Sequence, residues 1–242
     1  EGVELGKMIR EVSSKKIKAV IYTHSHYTHG TQALIDGNHE EIDVIGHYKL
    51  HRNFCESLRM LPRFFRRRQL MESAAFLPKE GHDADSAGGR VRKHGISGYV
   101  EPNRVIRTDG EEIALAVIQF RFHIEYPFDT DDTMFMWLPE CKAIIHNHFS
   151  SNFPNIYPVE GGHYRDPVPW IEGIDLMRRY SPEYVLGTHG GPSSGNKEVM
   201  ERLTVMRDAL QYVHDQTVRG MNRHLTQDEL VEFVKLPKHL EE

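Results

Sequence analysis

Two cysteines, Cys55 and Cys141, are all that this chain of 242 residues carries. They stand far apart with no C-x-x-C spacing, which excludes a dithiol redox motif. They leave the redox compartment undetermined, and a disulfide between them stays open. No apolar run reaches the ~18 residues of a membrane-spanning helix, so no membrane span is expected. The chain opens Glu1-Gly2-Val3-Glu4, without a basic stretch followed by an apolar one. No signal peptide is read there, and localisation stays unassigned. A basic excess is also missing: 30 Lys and Arg face 35 Asp and Glu, a net charge of -5. That balance argues against a nucleic-acid partner. Repeats and low-complexity tracts are absent as well. A hydrophobic fraction of 39% can bury one sizeable core, as a single domain or a domain with an appendage.

Histidine is what the chain has in number, 16 in all. Three of them fall in Thr23-His24-Ser25-His26-Tyr27-Thr28-His29-Gly30, directly after the apolar run from Ile17 to Tyr22. Histidines at i, i+2 and i+5, at the mouth of a buried strand, can turn their imidazoles toward one point. Neutral imidazole is a common ligand of zinc-like ions.

The periodicity predicts an amphipathic helix over Glu4–Val12, a strand over 17–22 and a helix from Thr31 to Ile35. A turn at Asp36-Gly37-Asn38 and a second strand from Ile42 to Ile45 follow. Strand–helix–strand order points to an α/β layered architecture. Residues 47–78 carry a broken apolar stripe, with Pro62 expected to end one helix or start another. Within it Arg63-Phe64-Phe65-Arg66-Arg67-Arg68 interleaves arginine with aromatics, either as a solvated helix face or as a surface that attracts anions. Residues 79–98 read as a loop. Strands are expected at Arg104–Ile106, Ile113–Phe120, Met134–Leu138 and Ala143–Ile145. A helix follows from Trp170 to Tyr180, then a strand at Tyr184–Leu186, a long helix over Asn196–His214 and a capping box at Thr226–Glu229.

The His24–His29 segment resembles the H-x-H-x-D-H signature of the metallo-β-lactamase superfamily, with Thr28 at the aspartate position. Tyr126-Pro127-Phe128-Asp129-Thr130-Asp131-Asp132-Thr133, before the run ending in Trp137-Leu138-Pro139, is similar to that superfamily's second metal motif. Thr188-His189-Gly190 resembles its last. In the C-terminal half Gly187 to Asn196, then Tyr212-Val213-His214-Asp215-Gln216-Thr217, resembles the alkylsulfatase branch. So does the stretch Asn155-Ile156 through Gly161 to Arg165-Asp166.

The resemblance implies an αββα sandwich, N-terminally incomplete, over 1–195, and a helical extension over 196–242. It implies a zinc-dependent hydrolase of alkyl sulfate esters working through metal-bound hydroxide, with one or two Zn2+ per chain. The metal ligands it implies are His24, His26 and Asp129 for one site, and His29, His148 and His189 for the other; His146 is a substitute for His148. His24, His26, Asp129 and Asp132 are the expected catalytic group. Arg165 and Arg67 are expected to hold the substrate, an alkyl ester, and a homodimer is among the family's expectations. Thr28 leaves the second site short of a carboxylate. Glu160 stands where the branch places a sulfate-gripping arginine. Both departures keep two alternatives in view: hydrolysis of another ester, lactone or amide, and a weakly active homologue that binds a metal or partner.

Overall fold

The computed structural model describes residues 2–35, 41–56, 62–72, 97–147, 156, 164–188 and 191–240. They form two compact units. The first holds the chain up to Arg107, the short turn Thr130–Asp132 and Tyr164.

In this first unit α1 (Gly2–Val12) precedes β1 (Ala19–Ile21), α2 (Thr31–Ile35) and β2 (Asp43–His47). α3 (Leu50–Cys55), α4 (Pro62–Glu72) and β3 (Arg104–Ile106) follow. The three strands make one parallel sheet in the order β1-β2-β3. Parallel pairing requires a crossover, and α2 supplies the one between β1 and β2. The expected strand over 17–22 is trimmed to three residues, although the Tyr22 amide still donates to the Ile45 carbonyl at 2.9 Å. Pro62 opens α4, where a missing N–H costs nothing. Gly46 in β2 is required by packing: a Cβ there would meet Pro102 Cγ at 2.8 Å.

The second unit comprises Thr108–Asp129, Thr133–Ile156 and the chain from Arg165 onward. Its sheet runs β4 (Glu111–Leu115), β5 (Ile118–His123), β6 (Phe135–Leu138), β7 (Ala143–His146), β8 (Tyr184–Gly187), β9 (Ser193–Ser194). All neighbours are antiparallel except β7 and β8, which α5 (Pro167–Tyr180) connects. α6 (Asn196–Met221) and α7 (Gln227–Phe233) complete the unit. One expected strand, Ile113–Phe120, is in fact a hairpin. Ala116 takes a φ of 54° at the tip, and Leu115 pairs with Ile118. Without Gly, Asn or Asp at the bend, the residues carry no turn signal.

The core of this unit joins β6 and β7 to α5 and α6 through Phe135, Ile144, Trp170, Ile174 and Leu203, all essentially buried. α5 starts sharply because the Asp166 carboxylate accepts from the Val168 amide at 3.0 Å and Pro167 follows the cap. α7 starts on the reciprocal Thr226–Glu229 box. α6 runs seven residues beyond the expected His214, to Met221.

Candidate metal centre

In the first unit the histidine segment leaves β1 extended and then coils. His24 has φ -171° and caps a single 3-10 turn, Ser25–Tyr27. That change of backbone turns two alternate side chains together: the His24 and His26 rings lie edge to face with centroids 4.9 Å apart. His24 is fully buried and its Nδ1 lies 3.0 Å from Thr23 Oγ1, while His26 is exposed. The Thr23 contact holds the ring at Nδ1 and leaves Nε2 as its other nitrogen.

Thr28 is buried, and its hydroxyl donates to the Ser25 carbonyl at 3.2 Å. The side chain thus closes the turn locally. His29 is exposed, with Nδ1 2.8 Å from Ser97 Oγ and its ring centroid 5.4 Å from that of Phe54.

The same unit contains the turn Thr130–Asp132. Asp132 is completely buried and accepts from Ser25 Oγ at 3.3 Å and from Thr130 Oγ1. Burial pushes its carboxyl above the ordinary carboxylate range, and hydrogen bonds from Thr130, Asn53 and Ser25 oppose that shift without cancelling it. Asp131 accepts from Asn53 Nδ2 at 2.6 Å and pairs with Lys49 Nζ at 3.2 Å. Helix α3 and the residue before it thereby clamp this turn beside Ser25. Arg67 sits on the exposed side of α4.

In the second unit Asp129 is nearly buried and pairs with Arg165, whose Nη2 meets Asp129 Oδ1 and whose Nε lies 3.3 Å from the Asp129 carbonyl. Arg165 directly precedes the Asp166 cap of α5, so the start of that helix aims it. The preceding Phe128 is locked by an edge-to-face contact with Trp170 at 5.8 Å. Gly173 of α5 makes room for this stretch: a Cβ there would stand 2.8 Å from Tyr126 Cβ and 3.0 Å from Phe128 Cζ. His146 ends β7, buried, with its ring centroid 5.9 Å from that of Phe128. Asn147 is fully buried, donates to Thr133 Oγ1 at 3.2 Å and accepts through its carbonyl from Thr188 Oγ1 at 2.7 Å. The expected ligands His148 and His189, and Glu160, lie outside the described residues.

Sequence reasoning missed the partners that hold these groups. Arg165 reaches Asp129 across 36 residues, Ser25 reaches Asp132 across 107, and Asn53 reaches Asp131 across 78. No local spacing could flag them. A half-buried chain, Asp109–His123–Tyr180, was also invisible. His123 Nδ1 lies 3.1 Å from Asp109 Oδ2 and its Nε2 2.8 Å from the Tyr180 hydroxyl.

No family model matches the chain. Among curated proteins it is similar to a linear primary-alkylsulfatase of a Pseudomonas species, 32% identical over 239 residues covering 96% of this chain and 45% of that protein. In sequence the chain is a relative of the alkylsulfatases, and its fold is the metallo-β-lactamase fold. It is also similar to the alkyl/aryl-sulfatase BDS1 of Saccharomyces cerevisiae, 24% identical over 96% of this chain and 38% of that protein. The fold agrees with the branch. The sec-alkylsulfatase Pisa1 from Pseudomonas superposes with a TM-score of 0.87 at 21% identity, covering 97% of this chain and 39% of that one. A metallo-β-lactamase from Hirschia baltica gives a TM-score of 0.51 at 12% identity, over 85% of this chain and 74% of its own. The chain spans under half the length of these alkylsulfatases. Among the described residues no helix is long and apolar enough to cross a membrane.

Proposed function

We propose that the chain carries the metal-binding part of a zinc-dependent hydrolase for sulfate esters of alkyl chains, with one ion held by His24, His26 and Asp129. Each of these side chains offers one ligand atom. The observation that carries the reading is the His24–His26 pair. Two imidazoles on one tetrahedral ion, at about 2.1 Å per bond, stand roughly 5 Å apart centre to centre. The rings here stand 4.9 Å apart. The donor set of two neutral nitrogens and a carboxylate suits zinc. Asp129 is bonded to Thr130, whose turn places Asp132 on Ser25, between the two histidines in sequence. When bound, a zinc ion supplies a Lewis acid and a water acidified toward neutral pH.

The chain's own residues do the rest in this reading. Thr23 orients His24. Asp132, raised by burial, takes a proton, and Ser25 and Thr130 hold its carboxyl in place. We assign the anionic head group to Arg165 in preference to Arg67, since a guanidinium pairs with oxyanions in a forked geometry and Arg165 already adjoins Asp129. Thr28 supports a single ion, because its hydroxyl serves the Ser25 carbonyl and remains protonated near neutral pH.

The test combines zinc content by mass spectrometry with sulfate release from dodecyl sulfate, for the purified chain and for His26→Ala. One zinc per chain, with both zinc and hydrolysis lost in the variant, is the expected result. A wild-type chain without zinc sinks the reading. Thr28 also favours a second reading, in which the same centre cleaves a carboxylic ester, lactone or amide, since it removes a charge typical of the family. Zinc with turnover of p-nitrophenyl acetate but none of dodecyl sulfate would select it.

A further inference from the structure

α4 presents a basic face. In a chain of net charge -5, this helix of 11 residues holds four arginines, and no acidic residue precedes Glu72 within it. Arg63, Arg66 and Arg67 are exposed, and so are Phe64 at 46% and Met71 at 57%. At 3.6 residues per turn, positions seven apart fall about 20° from one another, so Phe64 and Met71 form one apolar stripe. Arg63 and Arg67, four apart, run alongside it on the same face. The Arg68 guanidinium lies 5.9 Å from the Phe64 ring centroid, at the edge of that stripe.

From this we infer that α4 is a docking surface for an anionic lipid surface, with the helix lying in the headgroup plane. The pattern carries both components such binding needs: an arginine row for the headgroup charge, and large apolar side chains that enter the boundary region. Arginine stems can lie along the apolar layer while the guanidinium groups stay at headgroup level. A purely solvated face needs no exposed Phe and Met beside its arginines. A nucleic-acid backbone would use the arginines but not the apolar stripe of Phe64 and Met71 beside them. The inference rests on α4 alone and stands or falls independently of the metal centre.

The experiment is co-sedimentation of the purified chain with large unilamellar vesicles, either of phosphatidylcholine alone or mixed with phosphatidylglycerol. Binding is expected to the anionic vesicles and not to the neutral ones. It should be lost at high salt, where the screening length shrinks to about 3 Å. Each arginine near such a surface contributes a factor of about five, so Arg63→Gln with Arg67→Gln should weaken binding more than tenfold. Phe64→Ser leaves the charge intact and should weaken it several-fold. Far-UV circular dichroism on each variant separates lost binding from lost folding, and if Phe64→Ser unfolds, Met71→Ser serves in its place. Equal binding to both vesicle types, or variants that bind like the wild type, would overturn the inference. Binding to duplex DNA as strong as to vesicles, unchanged by Phe64→Ser, would overturn it in favour of a nucleic-acid surface.

Discussion

Arg165 and Asp129 form a shielded ion pair, with side chains 15% and 3% exposed, and Arg165 also reaches the Asp129 backbone carbonyl at 3.3 Å. The pairing gives Asp129 a competitor. A guanidinium and a divalent cation draw on the same carboxylate charge, so the arginine that would grip a sulfate also weakens the ligand that would hold the metal. Arg165→Ala should therefore bind zinc more tightly by calorimetric titration while hydrolysing alkyl sulfate more slowly. Weaker zinc binding in a folded variant would show that Arg165 orients Asp129 rather than competing with a metal for it. Removing one partner of a buried pair costs about 3–5 kcal/mol, so the thermal midpoint should fall as well.

Thr28→Asp tests the count of metals. Its present hydroxyl closes the Ser25 turn from a buried position. A carboxylate there should raise zinc content toward two per chain and speed hydrolysis. Unchanged zinc content and rate would show that no second site forms around this position.

Substrate length is a third handle. If an alkyl tail is buried during turnover, each methylene contributes about 0.8 kcal/mol, close to four-fold in kcat/KM per carbon. We propose the apolar stripe within residues 54–76 as the path of that tail, and part of it lies outside the described residues. A hexyl-to-dodecyl sulfate series with a flat response would remove the alkyl chain from the proposed substrate.

Gly173→Ala addresses how the Asp129 segment is held. The added Cβ would meet Tyr126 Cβ at 2.8 Å and must displace either α5 or that segment. Overpacking of this kind costs about 1–3 kcal/mol, outweighing the gain in helix propensity of about 1 kcal/mol. Denaturant unfolding should show a lowered midpoint. A raised midpoint would mean the segment yields freely.

Asp109 provides the pH dependence. Burial pushes its carboxyl up, but hydrogen bonds from His123 and the Ile124 amide outweigh that and leave it below its ordinary value of 3.8. A lowered folded value means that the unfolded chain binds more protons. The stabilisation is therefore present above pH 3.8 and is lost as the pH falls through the lowered folded value. Asp109→Asn should flatten that acid limb in unfolding curves and reduce stability at neutral pH by about 1–3 kcal/mol. An unaltered acid limb would assign the acid sensitivity to other carboxylates.

Local signals in the chain were enough for most of the elements and for the meeting of two histidine rings. The β-branched run before the histidines read as a strand and β1 forms there, Pro62 marked the start of α4, and Thr226 with Glu229 wrote the cap of α7. His24 and His26 were legible because alternation and a single turn, both properties of a few bonded residues, bring their rings together. The hairpin at Ala116 was not, since its left-handed residue is an alanine held there by the pairing of two strands. The partners of the acidic turn were equally hidden. Arg165, Ser25 and Asn53 meet Asp129, Asp132 and Asp131 only because helices and strands far apart in sequence carry them there. Whether each of those carboxylates is an exposed turn residue or a clamped, buried one is decided by burial and long-range hydrogen bonds, which no spacing encodes.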